Sequence, residues 1–210
     1  MTTRRLDGAI GRPAPPLRSF IDRYRGYWYE GFAPGTHRGL PSRYLTLIVT
    51  IDDAVDIVAM PDPGQTPEAF DAFVGGLHAS PARIRHDGSQ RGIHVDVTPL
   101  GARALLGMPA GALASTVVNL RDVLGRRATE LVDRLGAART WTERFAALDA
   151  VFTCALVEPR EPPREVVRAW QRILETGGTV PVTELADEVG WSRRHLGERF
   201  RTEVGLPRKV

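Results

Sequence analysis

The chain has one cysteine, Cys154, and one lysine, Lys209, in 210 residues. A lone thiol closes no disulfide within the chain. That excludes the disulfide-stapled secreted folds and paired-cysteine metal or redox centres, and fits a reducing compartment. Cys154 stands among Phe152, Ala155, Leu156 and Val157 and is expected to be a buried thiol. With so little lysine, nearly all the positive charge is arginine, the side chain suited to bidentate contact with phosphate and guanine. No run of about 18 apolar residues is present to span a bilayer, and the opening MTTRRLDGAIGRPAPP lacks the apolar core of a secretory signal, so a soluble cytoplasmic protein without a membrane partner is expected. Also missing are a G-x-S-x-G nucleophile elbow, a Walker loop and a dinucleotide fingerprint, and Gly75-Gly76 is too little for a phosphate loop. No catalytic residue and no cofactor is therefore assigned.

What is present is balanced in charge, with 28 Lys and Arg against 25 Asp and Glu and a formal net charge of +3. Such a balance does not by itself argue for nucleic acid. The length suits two small domains. Residues 1–18, rich in Pro, Gly and Arg, are expected to be a poorly ordered leader. From residue 19 to Pro99 the runs YRGYWYEGF, RYLTLIVTID, VDIVAMP, ARIRHDG and RGIHVDVTP carry β-branched and aromatic residues between Pro, Gly and Asp punctuation. They predict an antiparallel barrel or sandwich, with Asp52-Asp53 as a hairpin turn and residues 61–67 irregular. Tyr24, Tyr27, Trp28, Tyr29 and Phe32 are candidates to line a pocket or fill the core; by alternation Tyr27 and Tyr29 share one face and Trp28 takes the other.

After Pro99 the period changes to that of helices. Ala102 to Leu106 predicts a short one, and Leu113, Val117, Leu120, Leu124, Ala128, Leu131 and Leu135 predict a longer one that ends at Gly136. Thr140 with Glu143 three residues on is a capping box, opening a helix that carries Phe145, Leu148, Phe152 and Leu156. These two helices should form a hairpin that completes a first domain over residues 19–157. Residues 158–163, with three prolines, read as a linker. A helix with Val166, Val167, Trp170, Ile173 and Leu174 then opens a second unit over residues 164–210.

Within that unit, Val182, Leu185, Ala186 and Val189 share one helical face, Gly190 suits a tight turn, and Ser192 suits the cap of a second helix carrying Leu196, Phe200 and Val204. Two short amphipathic helices about such a turn predict a helix-turn-helix, which lays its second helix in the major groove of double-stranded DNA. Arg193, Arg194, Gly197, Glu198 and Arg201 fall opposite the apolar face. Arg193, Arg194, Arg199, Arg201, Arg208 and Lys209 meet only Glu198 and Glu203 on this stretch, whereas four arginines between residues 158 and 192 are outnumbered by seven carboxylates. Positive charge is gathered where phosphate would be met. The candidate DNA-binding residues are Ser192, Arg193, Arg194, Glu198 and Arg201, with Arg194 and Glu198 nearest base edges and Arg193 and Arg201 on phosphates.

The stretch ELADEVGWSRRHLGERFRTEVGLP resembles the first helix-turn-helix of the AraC family of bacterial transcription regulators, through Glu184, Leu185, Ala186, Val189, Gly190, Ser192, Leu196, Phe200, Gly205 and Pro207. It departs at Gly197 and Glu198, where members of that family often carry a long polar and a basic side chain. The resemblance implies an α+β architecture: a cupin-like antiparallel β-barrel with a helical hairpin, binding an unidentified small-molecule effector, then a three-helix helix-turn-helix subdomain. It also implies a homodimer, here placed on residues 117–135, and a second helix-turn-helix that the 210 residues do not contain, so the chain is expected to be a fragment. His37, His78, His86 and His94 lie in the β-rich half without the spacing of metal-binding cupins, and no metal site is expected. The alternatives are a metal-dependent cupin-type enzyme and a helical protein-interaction module.

Overall fold

The computed structural model describes residues 4–156 and 161–205. The linker positions 158–160 and Pro207, Arg208 and Lys209 of the basic C-terminus lie outside the described residues. The first half consists of strands β1 (Arg5–Gly11), β2 (Ile21–Glu30), β3 (Gly35–Gly39), β4 (Leu45–Thr50), β5 (Val55–Ala59), β6 (Glu68–Phe70), β7 (Ala72–Gly75), β8 (Ala82–His86), β9 (Gln90–Val97) and β10 (Val117–Asn119). They form a six-stranded antiparallel sheet, β1-β2-β9-β4-β7-β10, and a four-stranded one, β3-β8-β5-β6. Helices α1 (Ala102–Leu106), α2 (Leu120–Leu124), α3 (Arg126–Ala137), α4 (Trp141–Ala155), α5 (Arg164–Glu175), α6 (Val182–Val189) and α7 (Arg193–Glu203) follow, with α2 just after β10. The fold class is α+β. The two sheets oppose one another as an open barrel and do not close through hydrogen bonds.

Alternation along β4 and β9 explains the layering. Leu45, Leu47 and Val49, with Ile93, Val95 and Val97, are fully buried on the face turned to the helices, where they meet Leu17, Leu105, Leu131, Leu148 and Phe152. Each such side chain contributes roughly 1.5–3 kcal/mol of burial. On the opposite face Ile48 joins Phe73, Val117, Ile57, Phe70 and Ile84 in a second cluster between the sheets. β4, covered on both sides, accordingly reads as a nearly continuous apolar run, LTLIVT, while β9, QRGIHVDV, keeps His94 and Asp96 between its buried apolar residues.

The predicted hairpin of helices forms, and its turn is capped from both sides. The Glu143 carboxylate accepts from the backbone N–H groups of Arg139 and Thr140 at 2.7 and 3.0 Å, and Thr140 Oγ1 accepts from Glu143 N at 3.2 Å. Those bonds hold the Glu143 carboxyl below the usual carboxylate range. The buried Arg144 donates to the carbonyls of Leu135 and Ala138, at 3.3 and 2.7 Å, closing the end of α3. On its other side α4 lies close over β1 and β2, where a Cβ at Gly11 would meet Phe145 and one at Gly26 would meet Trp141.

Several expectations are corrected. The leader is not unstructured throughout: β1 pairs with β2 from Arg5↔Glu30 to Gly11↔Tyr24, and Leu17 packs in the main core. Asp52 and Asp53 do not turn a hairpin; they bend the chain from one sheet to the other. The long helix ending at Gly136 is three elements instead. Val117 is in β10, and Gly125, at φ 57° and ψ −131°, separates α2 from α3, which runs on to Ala137. Leu120, Ala128, Leu131 and Leu135 are all spent on the chain's own core, so a second copy would meet α3 only through a polar face bearing Arg126, Arg127, Glu130 and Arg134. Cys154 is exposed, because it sits on the outer side of α4 between the buried Phe152 and Ala155.

Candidate nucleic-acid interface

Helices α5, α6 and α7 form the helix-turn-helix unit. Gly190 takes the left-handed conformation, φ 71° and ψ 24°, and Trp191 N donates to the Ala186 carbonyl at 3.0 Å, which turns the chain within two residues. Ser192 Oγ then accepts from His195 N at 3.2 Å and caps α7. Ala169, Val180, Leu185, Ala186 and Leu196 bury one another behind the turn, with Ile173, Val189 and Trp191 around them. Arg168 and Arg172 of α5 reach Glu188 of α6 at 2.6 and 3.0 Å, and Arg172 also reaches Glu175 and Glu184. Much of the acidic excess before the turn is therefore a surface network tying α5 to α6, worth little per pair in water.

All five candidate residues are exposed and close together on α7 and its cap. Arg194 and Glu198 form an i,i+4 pair at 2.9 Å, each holding the other in its charged form. A base edge or phosphate reaching Arg194 would have to displace that carboxylate or share it. Arg193 and Arg201 form no ion pair among the described residues, so their guanidinium groups stay available to phosphate oxygens. The space beside Gly197 is open, with nothing within 4 Å of a Cβ built there. His195, not singled out in the sequence, is also exposed on the first turn of α7 and meets Trp191 edge-on at 4.5 Å.

Beyond Glu198 the helix changes neighbours. Phe200 and Val204 enter the main core of the first half, with Phe200 6.1 Å from the Trp170 ring. Glu203, counted from sequence with Glu198 in the charge balance of this stretch, has a side chain only 3% exposed and receives two hydrogen bonds from Arg103 of α1, at 2.8 and 2.9 Å. This pairing raises the Arg103 pKa. The carbonyls of Arg201 and Thr202 press on Gly111, where a Cβ would overlap them. No local signal separates Glu203 from Glu198; the difference lies in a partner 100 residues away. With Glu203 neutralised inside, the exposed charge of α7 is four arginines against Glu198.

A second candidate site lies between the sheets, a cavity of about 180 Å³ lined by His37, Thr46, Ile48, Phe73, His78, Ile84, His94 and Val117 among others. Three of the four histidines of the β-rich half thus converge, although the sequence scatters them. No group of three or more His, Cys, Asp or Glu among the described residues is placed to hold a metal ion. His94 shares one face of β9 with Asp96, whose carboxylate lies 3.0 Å from it and also meets Arg25 at 2.7 Å and Arg23 at 3.5 Å. Burial alone would raise Asp96, but His94 and then Arg25 outweigh it and hold the group below its ordinary value. Tyr27 and Tyr29 stack at 6.5 Å on the expected shared face, yet neither they nor Tyr24, Trp28 or Phe32 line this cavity.

A family model described as a domain of unknown function (DUF6597) matches residues 11–119. No curated protein matches the chain. Among solved structures the chain is similar to a cupin domain from Bordetella pertussis Tohama I, at 7% identity over 47% of this chain and 98% of that one, with a TM-score of 0.29. It is also similar to the AraC-like transcriptional activator CuxR, at 16% identity over 96% and 82% of the two chains and a TM-score of 0.34. ToxT from Vibrio cholerae gives 7% identity over 88% and 96%, with a TM-score of 0.36. All three superpositions are loose, and no role is carried from them to a residue of this chain. No helix of the described residues is long and apolar enough to cross a membrane.

Proposed function

We propose a function from this premise: the chain belongs to the family described as a domain of unknown function, DUF6597, whose matched region, residues 11–119, ends before the helix-turn-helix unit begins. The protein is a transcription regulator that binds double-stranded DNA through α7 and is controlled by a small molecule held between its two sheets. One observation carries this reading. Along its outer side α7 presents Arg193, Arg194 and, beyond Phe200, Arg201 to solvent from a rod fixed behind by Leu196 and set at an angle by Gly190. A short exposed helix with guanidinium groups on its outer side, capped at its N-terminus and joined by a tight turn to a supporting helix, is the element that fits a major groove. Arg193 and Arg201 bind phosphates; Arg194 and Glu198 read base edges, a glutamate being able to accept from cytosine N4.

The test is a gel-shift titration of the chain against the DNA upstream of its own gene, with random DNA as competitor, at several stated salt concentrations. Retardation that survives competitor and weakens linearly in log Kd with log salt is expected. Equal affinity for both DNAs would reduce the protein to a nonspecific binder, and no retardation at low salt would remove the reading.

A further inference from the structure

The cavity between the sheets restricts what enters it. Its volume, about 180 Å³, lies just above the ~150 Å³ that accommodates a benzene-sized guest and well below the usual range for drug-sized ligands. That admits one ring with a substituent and excludes nucleotides, disaccharides and long acyl chains. The wall is largely apolar, with Ile48 and Phe73 from the larger sheet, Ile57 and Ile84 from the smaller, and Val117 at the end.

Its polar atoms are few, and the His94 Nε2 is already engaged with Asp96 and Arg25. Thr46 brings a hydroxyl, and His37, His78 and His94 bring imidazoles. The pKa of His37 is lowered by burial and by His86, whose ring is 5.6 Å away, which keeps it uncharged near neutral pH. Arg38 is the one charged residue of the lining. It alternates with His37, which is paired in register with the buried Ile84, and is itself paired with the exposed Arg83, so its charge belongs to the outer face. The Asp96 carboxylate near His94 is already met by Arg25 and Arg23. No uncompensated charge faces the space, and bringing an ionised ligand out of water into it would go unrewarded.

We infer that the cavity binds a small, uncharged, monocyclic molecule bearing a hydroxyl group, of the phenol class, with its ring between Ile48, Phe73 and Val117 and its hydroxyl on His37. A neutral imidazole carries one donor and one acceptor, which match a hydroxyl that can give and receive one bond each. The role of this ligand as a signal rests on the regulator reading above; its occupancy of the cavity does not. The link to DNA would pass through Val117. That residue is gripped by the side-chain amide of Gln65 and follows the short segment whose Gly111 bears on the end of α7.

The test is an NMR titration of the chain with phenol, benzoate and toluene, following the methyl resonances of Ile48, Ile84 and Val117. Phenol should give saturable shifts at these methyls and not at Leu45 or Leu47 on the other side of the sheet. Benzoate, the same ring with a charge, should bind at least about tenfold more weakly. Toluene, lacking the hydrogen bond, should bind about fivefold more weakly. His37→Phe should bring phenol to the level of toluene, and His37→Asn should restore part of the difference; should either variant unfold, the three ligands on the unaltered chain still decide. Benzoate binding as tightly as phenol, or no saturable shift with phenol, overturns the proposal. Phenol binding in a chain that retards no DNA would leave the cavity assigned and the regulator reading lost, and the reverse result would do the opposite.

Discussion

The two halves of α7 have the same helical geometry and opposite surroundings. Its first half, from Arg193 to Glu198, is held by Leu196, which closes the small core behind the turn, and by the edge of His195 on Trp191. Its second half, from Phe200 to Val204, belongs to the larger core shared with the sheet and the α3–α4 hairpin. One end of the rod is free to meet a partner, and the other is anchored to the part of the chain that holds the cavity. The contrast teaches that the register of the exposed arginines is set by the first half of the chain as much as by the turn at Gly190. The anchor comprises one buried aromatic ring, one buried ion pair and one contact that only a glycine allows, at Gly111.

The largest effect is expected at the ring. Phe200→Ala removes a side chain only 5% exposed and should cost about 3–5 kcal/mol in chemical denaturation, because the cavity it leaves opens against Trp170 in the main core. A loss below about 1 kcal/mol would mean that the second half of α7 is not anchored in solution. Next is the ion pair. Glu203→Ala leaves Arg103 without its partner; since the Arg103 side chain keeps 24% of its exposure, the loss should be about 2–3 kcal/mol, less than for a fully buried pair. A double-mutant cycle with Arg103→Ala isolates the coupling, and additive losses would show that the bridge contributes nothing beyond packing.

This division of the helix was half legible in the sequence. Ser192, Gly190, Leu196 and the outward arginines could be read because caps, turns and helical faces are local, decided within four residues. The Thr140–Glu143 box was legible for the same reason, and so were β2, β4, β5, β8 and β9, whose β-branched and aromatic residues carry their own signal. What escaped depends on distant partners. Strand β1, RLDGAIG, has a loop-like composition and is a strand only because β2 lies beside it. Glu203 looks like any helical carboxylate until α1 delivers Arg103. The leucines from 113 to 135 keep a helical period across a strand and a break at Gly125, because the same core collects them from every element. The meeting of His37, His78 and His94 needed β3, β9 and the loop after β7 to be in place.

In the free half the effects should be smaller and should fall on DNA. Arg194→Ala should leave stability within about 0.5 kcal/mol, since the Arg194 side chain is 90% exposed and its pair with Glu198 is open to water. It should weaken specific binding by about 1–3 kcal/mol in the gel shift. An equal loss on specific and random DNA would move Arg194 from base edge to phosphate.

The smallest effect sharpens the comparison most. Gly197 lies in the middle of α7 with ordinary helical backbone and open space where a side chain would go, so nothing in the folded chain requires glycine there. Gly197→Ala should raise stability by about 0.5–1 kcal/mol through helix propensity alone, measured by denaturation. If the outer face of α7 lies against a duplex, the added methyl comes between the helix and the groove, and specific affinity should change while affinity for random DNA holds. A variant that gains stability and binds specific DNA unchanged would mean that Gly197 faces water in the complex, and that the helix contacts DNA by its first turn alone, through Arg193 and Arg194.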